Sequence, residues 1–220
     1  MKKVLIAGAS GMVGGHLLEE ALASKRVTKV ISLVRKASDK RHPKLQERLV
    51  EDFSNYSNSP KLFKDVDAAF FCIGVYTGQV TDEQFKVITV DYAVAFAKAL
   101  QANSPRVKFC LLSGQGADRS EKSRLSFAKY KGMAENSIAK MGLNFYSFRP
   151  AYIYPVVARK EPNLMYRISR ALYPLFKLFG EGASIPSTDL AKAMFLVGME
   201  GTEKEILENR DIHAILKSKE

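Results

Sequence analysis

The strongest constraint on this chain lies in its first 23 residues, where the apolar run "KKVLIAG" passes through "GASGMVGG" into a segment carrying Val13, Leu17, Leu18, Ala21 and Leu22 at helical spacing. A short apolar run closed by glycine reads as a buried parallel strand, and the periodicity after it as an amphipathic helix. Gly8, Gly11 and Gly14 occupy the turn between them in the spacing GxxGxxG. Such a turn leaves backbone N–H groups open at the helix start and lets a pyrophosphate approach the main chain. The strand before and the helix after are the context this motif requires. The pattern implies a dinucleotide held by Gly8, Ser10, Gly11, Met12, Val13 and Gly14; the alternative is a turn rich in glycine for close packing alone. A Walker-type loop is excluded, because no Gly-Lys-Ser/Thr follows.

The alternation continues along the chain. "VTKVISLVR" reads as a strand, "LVEDF" at 49 to 53 as a short one, and "DVDAAFFCIG" as a strong one. Residues 82 to 102 read as a long helix, "RVKFCLLSG" as a strand, 124 to 141 as a helix, and "LNFYSFRP" as a strand stopped by Pro150. Strands alternating with helices imply an α/β fold with parallel pairing and helices on both faces. After residue 150 the pattern changes: 163 to 180 is an apolar and basic segment interrupted by Pro174, and 187 to 199 reads as a helix capped by Ser187 or Thr188. With 220 residues and 46% of them hydrophobic, the chain suits a single domain, 1–220, in which 151–220 forms a lid on the substrate side.

The ends of the strands indicate which dinucleotide. A site selective for NAD would place an acidic residue after the second strand to accept from the ribose 2′-hydroxyl, whereas "SLVRKAS" offers Arg35 and Lys36. A guanidinium pairs with a 2′-phosphate in bidentate fashion, which favours NADP(H); the bland alternative is a solvated arginine at a strand end. Asp52, followed by Phe53, is placed to reach the adenine amino group, and Cys72, Ile73 and Gly74 after the fourth strand leave space for a ribose. The formal charge of +11 is spread along the chain with no nucleic-acid motif, so it fits a phosphorylated cofactor rather than a nucleic acid. Cys72 and Cys110 both lie in apolar runs and read as reduced core thiols. No apolar run nears the roughly 20 residues of a membrane span, and the N-terminal one is too short for a signal peptide, so a cytoplasmic location is expected. His16, His42 and His213 are scattered, with no spacing that suggests a metal site.

Taken in order, the glycine turn, "LLSGQGAD" at 111 to 118, "KGMAE" at 131 to 135, "YSFRP" at 146 to 150 and "EILENRDIHAIL" at 205 to 216 resemble the short-chain dehydrogenase/reductase superfamily, in its atypical branch related to the human Tat-interacting protein. The resemblance spans nearly the whole chain and implies a doubly wound Rossmann fold, NADP(H) binding, and a site at the carboxyl ends of the strands. It further implies that Ser113 bonds a substrate carbonyl and that Lys131 binds the nicotinamide ribose. Active members carry a tyrosine four residues before that lysine, and here the position is Phe127. Phenylalanine has no proton to give. Tyr130 is one helical step from Lys131 and points elsewhere; Tyr152 and Tyr154, after "FRP", are candidate substitute donors. The literal YxxxK from Tyr173 to Lys177 contains a proline and lies after the sixth strand, so it is a coincidence of spacing.

Two functions follow. One is an NADP(H)-dependent oxidoreductase on a small carbonyl-type substrate, with Ser113, Lys131 and Tyr152 at the reacting end. The other is a catalytically weak or inactive NADP(H)-binding protein that regulates a protein partner. Residues 163 to 180 fit a cover over the substrate pocket, with attachment to a membrane surface as the alternative. A homodimer stays open.

Overall fold

The computed structural model describes residues 1–76, 78–157 and 180–218. In chain order its elements are β1 (Lys2–Ala7), α1 (Met12–Ala23), β2 (Val27–Val34), β3 (Leu45–Leu49), α2 (Pro60–Phe63), β4 (Ala68–Phe71), α3 (Asp82–Lys86), α4 (Tyr92–Asn103), β5 (Lys108–Leu112), α5 (Ser126–Ala139), β6 (Asn144–Arg149), β7 (Tyr152–Tyr154), β8 (Ser184–Pro186), α6 (Ser187–Glu200), β9 (Ile206–Glu208) and α7 (Asn209–Lys217). Seven strands form one sheet in the order β3-β2-β1-β4-β5-β6-β9, and every pairing in it is parallel. This is a doubly wound Rossmann arrangement. The chain leaves β1 toward β2 and β3 on one side and returns to β4 on the other, so the strand order reverses beside β1. Ligands bind at such a reversal, beyond the carboxyl ends of the strands.

The alternation of side chains along each strand explains why both faces are covered. In β1, Val4 and Ile6 join α1 and α6 in one apolar cluster, while Leu5 and Ala7 join α4 in the other. Strand β4 divides the same way, with Ala68 and Phe70 on one face and Ala69 and Phe71 on the other. A run that is apolar on both faces has no side to give to water, which is why these strands lack a polar alternation.

The structure departs from expectation in four places. The third strand is Leu45–Leu49, not 49 to 53: Val30 pairs with Leu45 and Val34 with Leu49. It is an edge strand whose Gln46, Glu47 and Arg48 are polar, so it lacks the apolar run by which the inner strands are recognised. The helix over 82 to 103 contains a π turn, Val87–Asp91, between α3 and α4. The α6 cap position is Pro186, with Ser187 already inside the helix, where its Oγ accepts from the Val156 amide at 3.3 Å. Finally, α6 is a core helix, with Leu190, Ala191, Ala193 and Met194 fully buried, and β9 extends the sheet beside β6. Residues 187 to 217 therefore belong to the main sheet and its packing, while β8 pairs with β7 in a separate two-stranded sheet. The cover expected at 163 to 180, including the Tyr173 to Lys177 spacing, lies outside the described residues. No helix among those described is long and apolar enough to cross a membrane.

Candidate functional site

The glycine turn is built by close approach. Gly8 has φ +91°, and a β-carbon on it would sit 2.7 Å from the carbonyl carbon of Cys72 on the neighbouring strand. The Gly11 amide donates to the Gly8 carbonyl at 3.0 Å, and α1 begins at Met12 with no side chain capping it and no acidic residue in its first turn. The amides there are left for a ligand, with the positive end of the helix dipole behind them. Gly14 serves differently: it packs behind the turn, where a β-carbon would lie 2.2 Å from the Gly8 oxygen.

From this turn an open trough runs along the carboxyl ends of the strands. Its first part, about 280 Å³, is bordered by Gly8, Ser10, Gly11, Arg35, Phe53 and Cys72. Ile73 and Gly74 continue it into a second part of about 280 Å³, reaching Met12, Val13, Ser113, Phe127 and Lys131. The third part, about 190 Å³, shares Ser113 and Phe127 and is closed by Tyr152 and Pro155. Arg35 is exposed at the rim of the first part. Lys36, next to it, is exposed and does not border the trough. Asp52 does not face it either. Its carboxylate accepts from the Ser54 amide and hydroxyl at 2.8 and 2.6 Å, bonds that hold it below the usual carboxylate range, and Glu51 and Phe53 border the trough in its place. Cys72 is half-buried on the trough wall rather than in the core, and burial raises its thiol to about 12; Cys110 is fully buried. Ile88, within the π turn, and Tyr92, the first residue of α4, also border this part; neither was expected at the site.

In the second part of the trough, Lys131 donates to the Leu112 carbonyl at 3.0 Å. Burial lowers its ammonium to about 8, partly countered by Glu135 and Cys72. Phe127, one turn earlier on α5, borders both inner parts of the trough. Tyr130 points away and donates to Asp82 on α3. Ser113, at the end of β5, is buried and donates to Glu135 Oε1 at 2.6 Å. Glu135 itself is fully buried. It also accepts from Ser147 at 2.7 Å, from Arg149 Nε and Nη2 at 3.0 and 2.5 Å, and from Arg119 Nε at 2.9 Å. Burial alone would raise its carboxyl, but the bonds from Arg149, Ser113 and Ser147 outweigh this and hold it below the ordinary value. Glu135 is the site residue that sequence reasoning missed. Its signals were present as the fourth residue after Lys131, on the same helix face, and as the arginine of "YSFRP". Among the described residues no group of His, Cys, Asp and Glu could hold a metal ion; His42 and His213 make backbone hydrogen bonds.

A family model described as NAD(P)H-binding matches residues 8–197, from the first glycine of the turn through most of α6. The chain belongs to this NAD(P)H-binding family. It is homologous to Protein HTATIP2 of Rattus norvegicus, with 27% identity over 218 residues, or 96% of this chain and 88% of that protein. Among solved structures, Gre2 of Candida albicans in complex with NADPH matches at TM-score 0.73 and 14% identity, covering 94% of this chain and 78% of that one. The Bordetella bronchiseptica enzyme WbmH in complex with NAD+ matches at TM-score 0.69 and 20% identity, covering 94% and 75%. At such identities the likeness is one of fold. The residues present fit a dinucleotide: the start of α1 has no side-chain cap, and Gly8, Ser10 and Gly11 border the trough there.

Proposed function

We propose that this NAD(P)-binding protein is an oxidoreductase of the short-chain type, selective for NADP(H), that acts on a small carbonyl-type group with an altered acid–base centre. The observation that carries the reading is the juxtaposition of Ser113 and Lys131 on one cavity continuous with the glycine turn. The dinucleotide, when bound, supplies or takes up hydride. The amides of α1 would hold its pyrophosphate and Arg35 would pair with the 2′-phosphate, while Ile73, Val75 and Ile153 give the inner trough an apolar lining. Burial brings the Lys131 ammonium down to about 8, nearer to neutrality than an ordinary lysine, which suits a group that gives and takes protons. Tyr152 borders the substrate end and is a second candidate for that task.

The test is calorimetry with NADPH and NADH, followed by turnover of aldehydes, ketones and quinones by the natural protein and by Lys131→Ala. Tighter binding of NADPH and a turnover abolished in the variant are expected. Tight NADPH binding without turnover on any of them would sink the catalytic reading. Phe127 favours a second reading, an NADP(H)-binding regulatory protein whose partner is a protein, because a ring with no donor occupies the place of the family's acid.

A further inference from the structure

The hydrogen bonds around Glu135 determine what Ser113 can offer a ligand. The Glu135 carboxylate is ionised and can only accept, so the hydroxyl protons of both Ser113 and Ser147 point at its Oε1, at 2.6 and 2.7 Å. The orientation is held from the far side, because Arg119 and Arg149 anchor Oε2 at 2.9 and 2.5 Å, and these guanidiniums are themselves tied to Glu205 and Glu208 at 2.6 and 3.1 Å. Toward the trough Ser113 therefore presents lone pairs and no proton. Ser113 and Phe127 thus offer a carbonyl oxygen no O–H, and the tyrosine hydroxyls in this part of the trough belong to Tyr76 and Tyr152.

We infer that Ser113 is a hydrogen-bond acceptor in the cavity, fixed as such by Glu135 acting as a positioning residue, and that the group seated against it carries an O–H or N–H. The compound recognised at this end is then a hydroxy compound or an amide-type N–H donor in preference to a bare ketone or aldehyde. A carbonyl seated there finds its donor in Lys131, whose ammonium has protons beyond the one given to Leu112. This rests on the proposal that the cavity beyond Lys131 is the substrate site, and it changes that proposal by naming which member of an alcohol–ketone pair the resting site prefers.

The chemistry of a glutamine at 135 makes the inference testable. Its amide oxygen takes the place of Oε2, where two arginine N–H groups converge, and its NH2 takes the place of Oε1, at the cost of the Arg149 Nε bond. The NH2 then donates to Ser113, which turns its own proton into the trough.

Cyclohexanol and cyclohexanone are the probes, titrated into the cofactor-free protein by ligand-observed NMR, so that no turnover enters the readout. The natural protein is expected to bind the alcohol about fivefold more tightly, the usual worth of one hydrogen bond. Ser113→Ala should abolish the preference and Ser147→Ala, which touches Glu135 without bordering the trough, should leave it. Glu135→Gln should reverse it. A ketone bound as well as or better than the alcohol by the natural protein, or a preference that survives Ser113→Ala, overturns the inference alone. If neither probe binds a protein that still binds NADPH, the substrate-site proposal fails and takes the inference with it. Should Glu135→Gln fold poorly, the two serine variants decide the outcome.

Discussion

The ring of Phe127 points end-on at Gly114. A β-carbon at residue 114 would lie 2.6 Å from the ring's Cζ and 3.5 Å from both Cε1 and Cε2, and the three distances together put that position close to the ring's long axis. It is the direction in which a tyrosine's oxygen projects. Phe127→Tyr therefore must push its hydroxyl against the main chain at 114 or withdraw the ring into the trough. The expected result is destabilisation of about 1–3 kcal/mol, the usual cost of overpacking, with a similar loss for Gly114→Ala. Denaturant midpoints of the two variants measure it; a Phe127→Tyr protein as stable as its parent would show that the ring has room to spare.

Gly14 and Gly11 differ in what a methyl group would meet. At 14 it would be 2.2 Å from the Gly8 oxygen, at 11 it would be 3.2 Å from the same atom. Gly14→Ala is expected to cost about 3 kcal/mol or more, because backbone must move, and to weaken NADPH binding with it. Gly11→Ala should fold nearly as well as the natural protein. Thermal unfolding with and without NADPH separates the two effects.

Arg35 stands at the rim of the trough, after β2, with its side chain in water. If it selects the 2′-phosphate, Arg35→Ala should raise the Kd for NADPH by roughly 10- to 100-fold, the range of a charge-assisted pair, and leave that for NADH unchanged. Parallel titrations with both nucleotides check this, and an equal loss for both would assign Arg35 no part in selection.

Lys131 ties stability to alkaline pH. Burial lowers its folded value to about 8 from an ordinary 10.5, so between these values the unfolded chain binds more protons than the native one and stability rises with pH. Below pH 8 both states carry the proton and the cost of burying the charge is felt in full. Lys131→Met should thus have a higher Tm than the natural protein at pH 7, despite losing the bond to Leu112. The gap should close as pH is raised from 8 toward 10.5. A gap independent of pH would mean that the charge is not the cause.

Glu135→Ala strips a fully buried carboxylate from two guanidiniums, and a loss of about 3–5 kcal/mol is expected. The natural protein's own acid profile carries the same signature. Because the folded carboxyl titrates below its ordinary value, its contribution is complete above that value and is lost as pH falls through the lowered one. Chemical unfolding followed from pH 7 downward measures it.

The parts of this molecule that were legible beforehand are those whose cause is local. The glycine turn, the inner strands with both faces apolar, and the helix carrying Phe127 and Lys131 are all written within a few consecutive residues. Strand β3 was placed four residues late because an edge strand needs only one apolar side, so Gln46, Glu47 and Arg48 hide it. Glu135 was passed over because a lone glutamate in a helix ordinarily faces water. Its burial depends on Ser113, Arg119, Ser147 and Arg149, which come from three other parts of the chain. Ile88, on the trough, lies in a π turn, which no periodicity announces.

The chain is made from its amino end, and the sheet does not fill in that order. Its first strand lies inside the sheet, third from one edge, while its last, β9, forms the other edge, and Glu205 just before it and Glu208 at its end bring carboxylates to the arginines that grip Glu135. A chain lacking Glu205 and β9 keeps every residue of the glycine turn and loses the carboxylates that hold Arg119 and Arg149 in place around Glu135.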